Sequence, residues 1–148
     1  CHIIDNCIAL FEENLKEKNI TIVRDTGKHP IIWVDVECMN LVVRNILNNA
    51  IKYSPNNSQI KFDVTLTEEI LTLDIIDNGI GINEDDVAQL QQGAAVVHSR
   101  IGTYGEKGTG LGLSLSMEII QKNHGMLELI RNKGKGTTAR ITIRTKPV

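Results

Sequence analysis

The sequence predicts an α+β domain, a two-layer α/β sandwich with helices on one face of a mixed, largely antiparallel sheet. Three observations carry this. Strand-like segments come in close pairs, 59–66 with 70–77 and 126–132 with 137–144, rather than alternating singly with helices. Segments 2–17, 36–52 and 111–124 place apolar residues at helical spacing. The chain has 148 residues, enough for one domain that buries about 70% of its unfolded surface without staples.

Composition narrows the function classes. Apolar residues make up 41% and charged residues 23%, a globular balance that argues against disorder. No apolar run approaches the ~20 residues of a membrane span. A net charge of −2 and 3% aromatics lack the footprint of a nucleic-acid binder. Cys1, Cys7 and Cys38 are odd in number and show no metal-ligand spacing, which points to reduced thiols in a cytosolic domain. The first residue is Cys and no signal-peptide pattern follows, as expected of a segment of a longer protein.

Each element has a local reason. In 2–17, Ile4, Ile8, Phe11 and Leu15 form one helical stripe. Ile20 to Val23 reads as a strand, Gly27 to Pro30 as a turn, and Ile31 to Val34 as a second short β-branched strand. Asp35 is placed to cap the 36–52 helix, whose stripe is Met39, Val42, Val43, Ile46, Leu47 and Ala50. Ser54-Pro55-Asn56-Asn57 ends it. In the 59–66 and 70–77 hairpin, Leu71, Leu73 and Ile75 alternate with Thr72 and Asp74. Residues 77–81 are turn-rich, and 84–90 read as a short helix. Five of the twelve glycines fall between 102 and 112, so 91–109 reads as a long loop of the kind usually reserved for function. The 111–124 helix is expected to end with Gly125 at C′.

Three segments can carry chemistry. On the 36–52 helix, Asn45, Asn49 and Lys52 share a face beside the apolar stripe. This is either a solvated helix face or a set of neutral oxygens for Mg²⁺ with a cation for phosphate. Asp77-Asn78-Gly79-Ile80-Gly81-Ile82 ends an apolar strand in an acid and two glycines. It is either a plain turn or a carboxylate that accepts from a ligand amine, with the backbone open to a flat ring. Gly108-Thr109-Gly110-Leu111-Gly112-Leu113 opens a helix, whose N-terminus offers unpaired N–H groups to anions. It fits neither the Walker A spacing nor the dinucleotide fingerprint.

Together, in this order, the segments resemble the GHKL ATPase superfamily with its Bergerat fold, and most closely the catalytic ATP-binding domain of bacterial sensor histidine kinases. Asn45 to Ser54 resembles the N box, Asp77 to Ile82 the G1 box, and Gly108 to Leu113 the G2 box. Gly134-Lys135-Gly136-Thr137 resembles the closing glycine-threonine element, so the resemblance spans essentially the whole chain, 1–148, as one domain. It implies ATP and Mg²⁺ as cofactors and Asn45, Asn49 and Lys52 as the catalytic set. In that set Asn49 ligates Mg²⁺, Asn45 assists and Lys52 touches phosphate. Tyr53 would pack beside the nucleotide. Asp77 would accept the adenine amine, with Gly79, Gly81, Ile82 and Thr137 lining the base pocket. The backbone of Gly108, Gly110, Leu111 and Gly112 would hold phosphates, with Thr109 and Leu113 also in the nucleotide-binding segment. Residues 91–107 would form an ATP lid, with Arg100 and Lys107 as its phosphate contacts.

The implied activity is that of a protein histidine kinase. This domain donates the γ-phosphate to a histidine on a separate dimerisation domain, and a response regulator receiver acts downstream. Two departures stand out. Residues 90–95 contain no Phe where the family often has an F box. None of His2, His29, His98 or His124 is followed by an acid, as the acceptor histidine typically is. The chain is therefore expected not to phosphorylate itself. It would be a monomer alone, and the cytoplasmic part of a membrane-anchored homodimer when whole. Hydrolytic or serine-directed relatives commonly carry Glu four residues before the Mg²⁺ Asn. Here that residue is Asn45, a poor general base. A non-catalytic nucleotide-binding module is the remaining alternative, resting on the missing Phe.

Overall fold

The computed structural model describes residues 2–24, 32–91 and 111–145, with the side chains of residues 90 and 91 left aside. The elements run α1 (His2–Leu10), α2 (Glu12–Glu17), β1 (Thr21–Arg24), α3 (Val36–Tyr53), β2 (Gln59–Leu66), β3 (Ile70–Asp77), α4 (Glu84–Gln91), α5 (Gly112–Lys122), β4 (Met126–Arg131) and β5 (Thr137–Arg144). The strands form one five-stranded sheet in the order β1-β2-β3-β5-β4. Only β1–β2 is parallel; the other three pairings are antiparallel. The expected α+β sandwich is what the chain forms.

Period-two alternation decides which face is buried. Register aligns Phe62, Ile75, Ala139 and Leu129 in one row across the sheet, and Val64, Leu73, Ile141 and Leu127 in the next. These rows meet α3, whose predicted stripe of Met39, Val42, Val43, Ile46, Leu47 and Ala50 is buried in full. Asp35 caps this helix, accepting from Cys38 N–H at 3.0 Å. α1 and α5 flank α3. The other sheet face carries polar pairs, including Arg140, which donates twice to Asp74 at 2.8 and 2.7 Å.

Three expectations are corrected. The 2–17 helix is two helices, broken at Phe11, whose N–H turns back to Ile8 O at 3.1 Å, three residues earlier. The 31–34 segment is not a strand in its described part, 32–34. Ile32 and Val34 lean on the core while Trp33 is 85% exposed, so the alternation reports one-sided burial without a ladder partner. The last helix spans 112–122, and the left-handed residue after it is His124 (φ 55°), not Gly125. His124 N–H bonds Gln121 O at 3.1 Å and Gly125 N–H bonds Ile120 O at 2.9 Å, the two bonds of a Schellman motif with His124 at C′.

Candidate nucleotide site

The site grows from one anomaly in the sheet pattern. Leu71, Leu73, Ile75 and Asp77 share the helix-covered face of β3, so a carboxylate occupies the last core-facing position. Asp77 is 8% exposed. An acid buried there needs partners. Its Oδ1 accepts from Gly79 N–H at 2.8 Å and Thr137 N–H at 3.1 Å. Its Oδ2 takes no hydrogen bond from a described residue. Burial pushes the Asp77 carboxyl above the usual range, opposed by these two backbone N–H groups.

Two glycines make this packing feasible. A Cβ on Gly79 would stand 2.6 Å from Tyr53 O and 2.9 Å from Asp77 Oδ1. The 77–81 turn is thereby pressed against the end of α3, where Ile80 N–H bonds Tyr53 O at 3.3 Å. Gly136 has φ +92°, and a Cβ there would fall 1.9 Å from Asp77 O. The β4–β5 turn thus lies directly on the Asp77 backbone, which brings Thr137 N–H to the carboxylate. Gly81 sits beside the same turn, and Ile82 is half-buried next to it.

The other candidate side chains lie on the polar face of α3. Asn45 Nδ2 donates to Gly112 O at 3.2 Å and Ser116 Oγ at 3.3 Å, and Ser116 Oγ donates to Gly112 O at 2.7 Å. Asn45 therefore ties α3 to the start of α5, leaving its Oδ1 as its remaining polar group. Asn49, one turn on, is half-buried, and no described residue hydrogen-bonds its amide. Lys52 is buried, its Nζ 5.0 Å from the Tyr53 ring centroid, within cation–π range.

At α5, Leu111 is the N-cap, and its side chain makes no capping hydrogen bond. Leu111 is exposed. Leu113 instead packs against the core and seats the helix. Gly108, Thr109, Gly110, Arg100, Lys107 and the rest of the 92–110 stretch, including all but the first residue of the expected lid, lie outside the described residues.

Sequence reasoning missed three residues: Ser116, Asn132 and Thr138. Ser116 is fully buried in the apolar stripe of α5 between Leu113 and Ile120, and that misplaced hydroxyl was a readable signal. Asn132, at the start of the β4–β5 turn, bonds the Asp77 carbonyl, Thr138 of β5 bonds Asn132, and nothing local marks either residue.

Mg²⁺ prefers hard oxygen ligands and commonly uses few from protein, the rest from phosphates and water. Asn49 and Asn45 Oδ1 fit that requirement. Among the described residues no group of three or more His, Cys, Asp or Glu could hold a metal unaided. A metal here would depend on a nucleotide for the remainder of its shell.

Comparison with known proteins identifies the family. Residues 34–147 match the profile of the histidine kinase-, DNA gyrase B- and HSP90-like ATPase family (HATPase_c). The chain belongs to that family. It is 33% identical over 138 residues to the sensor histidine kinase WalK of Bacillus subtilis, covering 90% of this chain and 22% of that protein. It is 34% identical over 120 residues to the adaptive-response sensory kinase SasA of Rippkaea orientalis, covering 79% of this chain and 30% of that protein. The fold matches the nucleotide-free catalytic domain of histidine kinase ThkA with a TM-score of 0.82 at 24% identity, covering 99% of this chain and 94% of that one. The chain thus spans less than a third of the length of these two curated relatives. Among the described residues, no helix is long and apolar enough to cross a membrane.

Proposed function

We propose that this chain is the ATP-binding half of a two-component histidine kinase. It binds ATP with Mg²⁺ and presents the γ-phosphate to a histidine on a separate dimerisation domain. The observation that carries this reading is Asp77, a buried carboxylate with one oxygen held by two backbone N–H groups and the other without a described partner. Such a group is oriented for one incoming donor, the adenine amine. Guanine lacks an amine at that position.

The other residues then take roles by chemistry. Asn49, with Asn45 Oδ1, would hold Mg²⁺, which neutralises phosphate charge when bound. The N-terminal end of α5, the positive end of its helix dipole, would favour the phosphates. By the sequence resemblance, Gly108, Gly110, Arg100 and Lys107 would contact phosphate, and 91–107 would form the lid. Lys52 would touch phosphate, and Tyr53 would pack beside the nucleotide. Phosphoryl transfer needs positioning and charge neutralisation more than a strong base, so a domain without its own nucleophile suffices.

A hydrolytic or serine-directed ATPase would need a base at Asn45. That side chain is an amide, and its nitrogen already donates to Gly112 and Ser116, which favours a scaffolding use. In the whole protein, this domain would work within a cytoplasmic, membrane-anchored homodimer and pass phosphate on to a response regulator. The test is titration of the chain with ATP and with GTP, each with and without Mg²⁺. ATP should bind, more tightly with Mg²⁺, and GTP should bind at least tenfold more weakly. Equal binding of the two would remove the adenine assignment.

A further inference from the structure

We infer that Asn132 is a positioning residue for base selectivity, acting through Asp77. The inference rests on the nucleotide reading above. Asn132 follows the last residue of β4 and commits both ends of its side-chain amide and its own N–H to one bracket. Its Nδ2 donates to Asp77 O at 3.3 Å, 55 residues away in sequence. Its Oδ1 accepts from the Thr138 hydroxyl at 2.6 Å. Its own N–H donates to Gly136 O at 3.1 Å.

These bonds converge on the backbone of the carboxylate they never touch. Gly136 presses on Asp77 O from the turn, and Thr137 N–H holds Asp77 Oδ1. Asn132 ties that turn both to itself and to Asp77, and Thr138, 8% exposed, locks the Asn132 amide in the orientation that donates. The Oδ1–N–H pair fixes the carboxylate plane only as well as the turn bearing Thr137 is fixed. Without Asn132, the turn and the strand end can shift relative to each other, and Oδ2 loses its defined direction. A sub-ångström error is enough to weaken a charge-assisted bond to a base.

The bracket therefore predicts a specificity effect rather than a general loss of binding. Affinity for ATP should fall while affinity for GTP, which does not use Asp77 in the same way, stays nearly constant. The effect should also vanish once the carboxylate is gone, because Asn132 then has nothing to aim.

The experiment is calorimetric titration of wild type, Asn132→Ala, Asp77→Asn and the double variant with ATP·Mg²⁺ and GTP·Mg²⁺. Asn132→Ala should lose about five- to tenfold in ATP affinity, with GTP changed less than about twofold. The double variant should match Asp77→Asn alone, a non-additivity that simple loosening of the fold does not produce. Should Asn132→Ala not fold, Thr138→Val decides: it keeps shape, removes the hydroxyl that locks the amide, and should narrow the ATP-over-GTP ratio about two- to threefold. An unchanged ratio in the variant used, or an Asn132→Ala effect that adds fully to that of Asp77→Asn, overturns the inference. If wild type itself prefers neither nucleotide, the nucleotide reading fails and this inference with it; a selective wild type beside an equally selective Asn132→Ala overturns the inference alone.

Discussion

Asp77→Asn should separate what this residue does for ligand from what it does for the fold. The substitution keeps shape and retains a carbonyl-type Oδ1, which can still accept from Gly79 N–H at 2.8 Å and Thr137 N–H at 3.1 Å. What changes is Oδ2, which becomes an NH₂ group facing the adenine amine, donor against donor. Losing a hydrogen bond to a charged group costs about 1.5–3 kcal/mol, or about 10- to 150-fold in ATP affinity. Stability should move the other way. Burial of the carboxylate outweighs the two N–H bonds and raises its pKa, so the ionised side chain is a net cost to the unliganded fold. An amide has no such cost, and the variant should melt at the same temperature as wild type or higher. Calorimetric titration gives the first quantity and thermal unfolding of the nucleotide-free chain gives the second. A variant that binds ATP as wild type does removes Asp77 from the site. One that loses affinity only in proportion to a fallen melting temperature means the residue is structural.

Other expectations follow from the same geometry. Because the folded-state pKa of Asp77 lies above its unfolded value, the folded chain holds a proton longer as pH rises from the ordinary aspartate value. Wild type should lose stability relative to Asp77→Asn through that window and keep the deficit at neutral pH; urea titrations at stepped pH measure it. Asn49→Ala should weaken ATP at least about tenfold with Mg²⁺ present and much less with the metal chelated, with the melting temperature nearly unchanged because the side chain is only half-buried. Gly136→Ala must displace the Asp77 carbonyl from a Cβ at 1.9 Å and should cost about 2–4 kcal/mol by denaturant unfolding. Incubated with γ-labelled ATP, the chain should remain unlabelled; stable, acid-labile label on one of its histidines would show that it carries its own acceptor.

Much of the fold was legible because its hairpins alternate cleanly. The 59–66 and 70–77 strands were read to the residue, since β-branched and apolar residues sit at every second position and Thr67-Glu68-Glu69 interrupts them. The same rule misled at 31–34. Alternation reports that one side of an extended segment is buried, and Ile32 and Val34 satisfy it without pairing. The sequence points to Gly125 for the left-handed helix end, because glycine adopts that conformation most cheaply, yet His124 takes it and Gly125 supplies the N–H that closes the motif.

The site divides in the same way. Asp77 was legible as an acid ending an apolar alternation, and Asn45 and Asn49 as amides on one helical face. Asn132 and Thr138 were not, because a short polar residue beside a glycine turn looks like ordinary turn chemistry. Asn132 gains its meaning from a contact with a strand end 55 residues away, which the β3–β5 register brings into reach, and Thr138 from its bond to Asn132. That register stacks the β4–β5 turn on the end of β3, and the bracket follows from topology rather than from any local pattern.

The most direct test of the account is residue-resolved: amide chemical shifts of the labelled chain during titration with a non-hydrolysable ATP analogue and Mg²⁺. The largest shifts should fall on Gly79, Thr137, Asn49 and the first turn of α5 at Gly112, saturating together with one affinity. GTP at the same concentration should leave Gly79 and Thr137 in place. Saturable shifts confined to another surface, such as the groove between α1 and α3, or no shifts at all, would contradict an adenine nucleotide site built on Asp77.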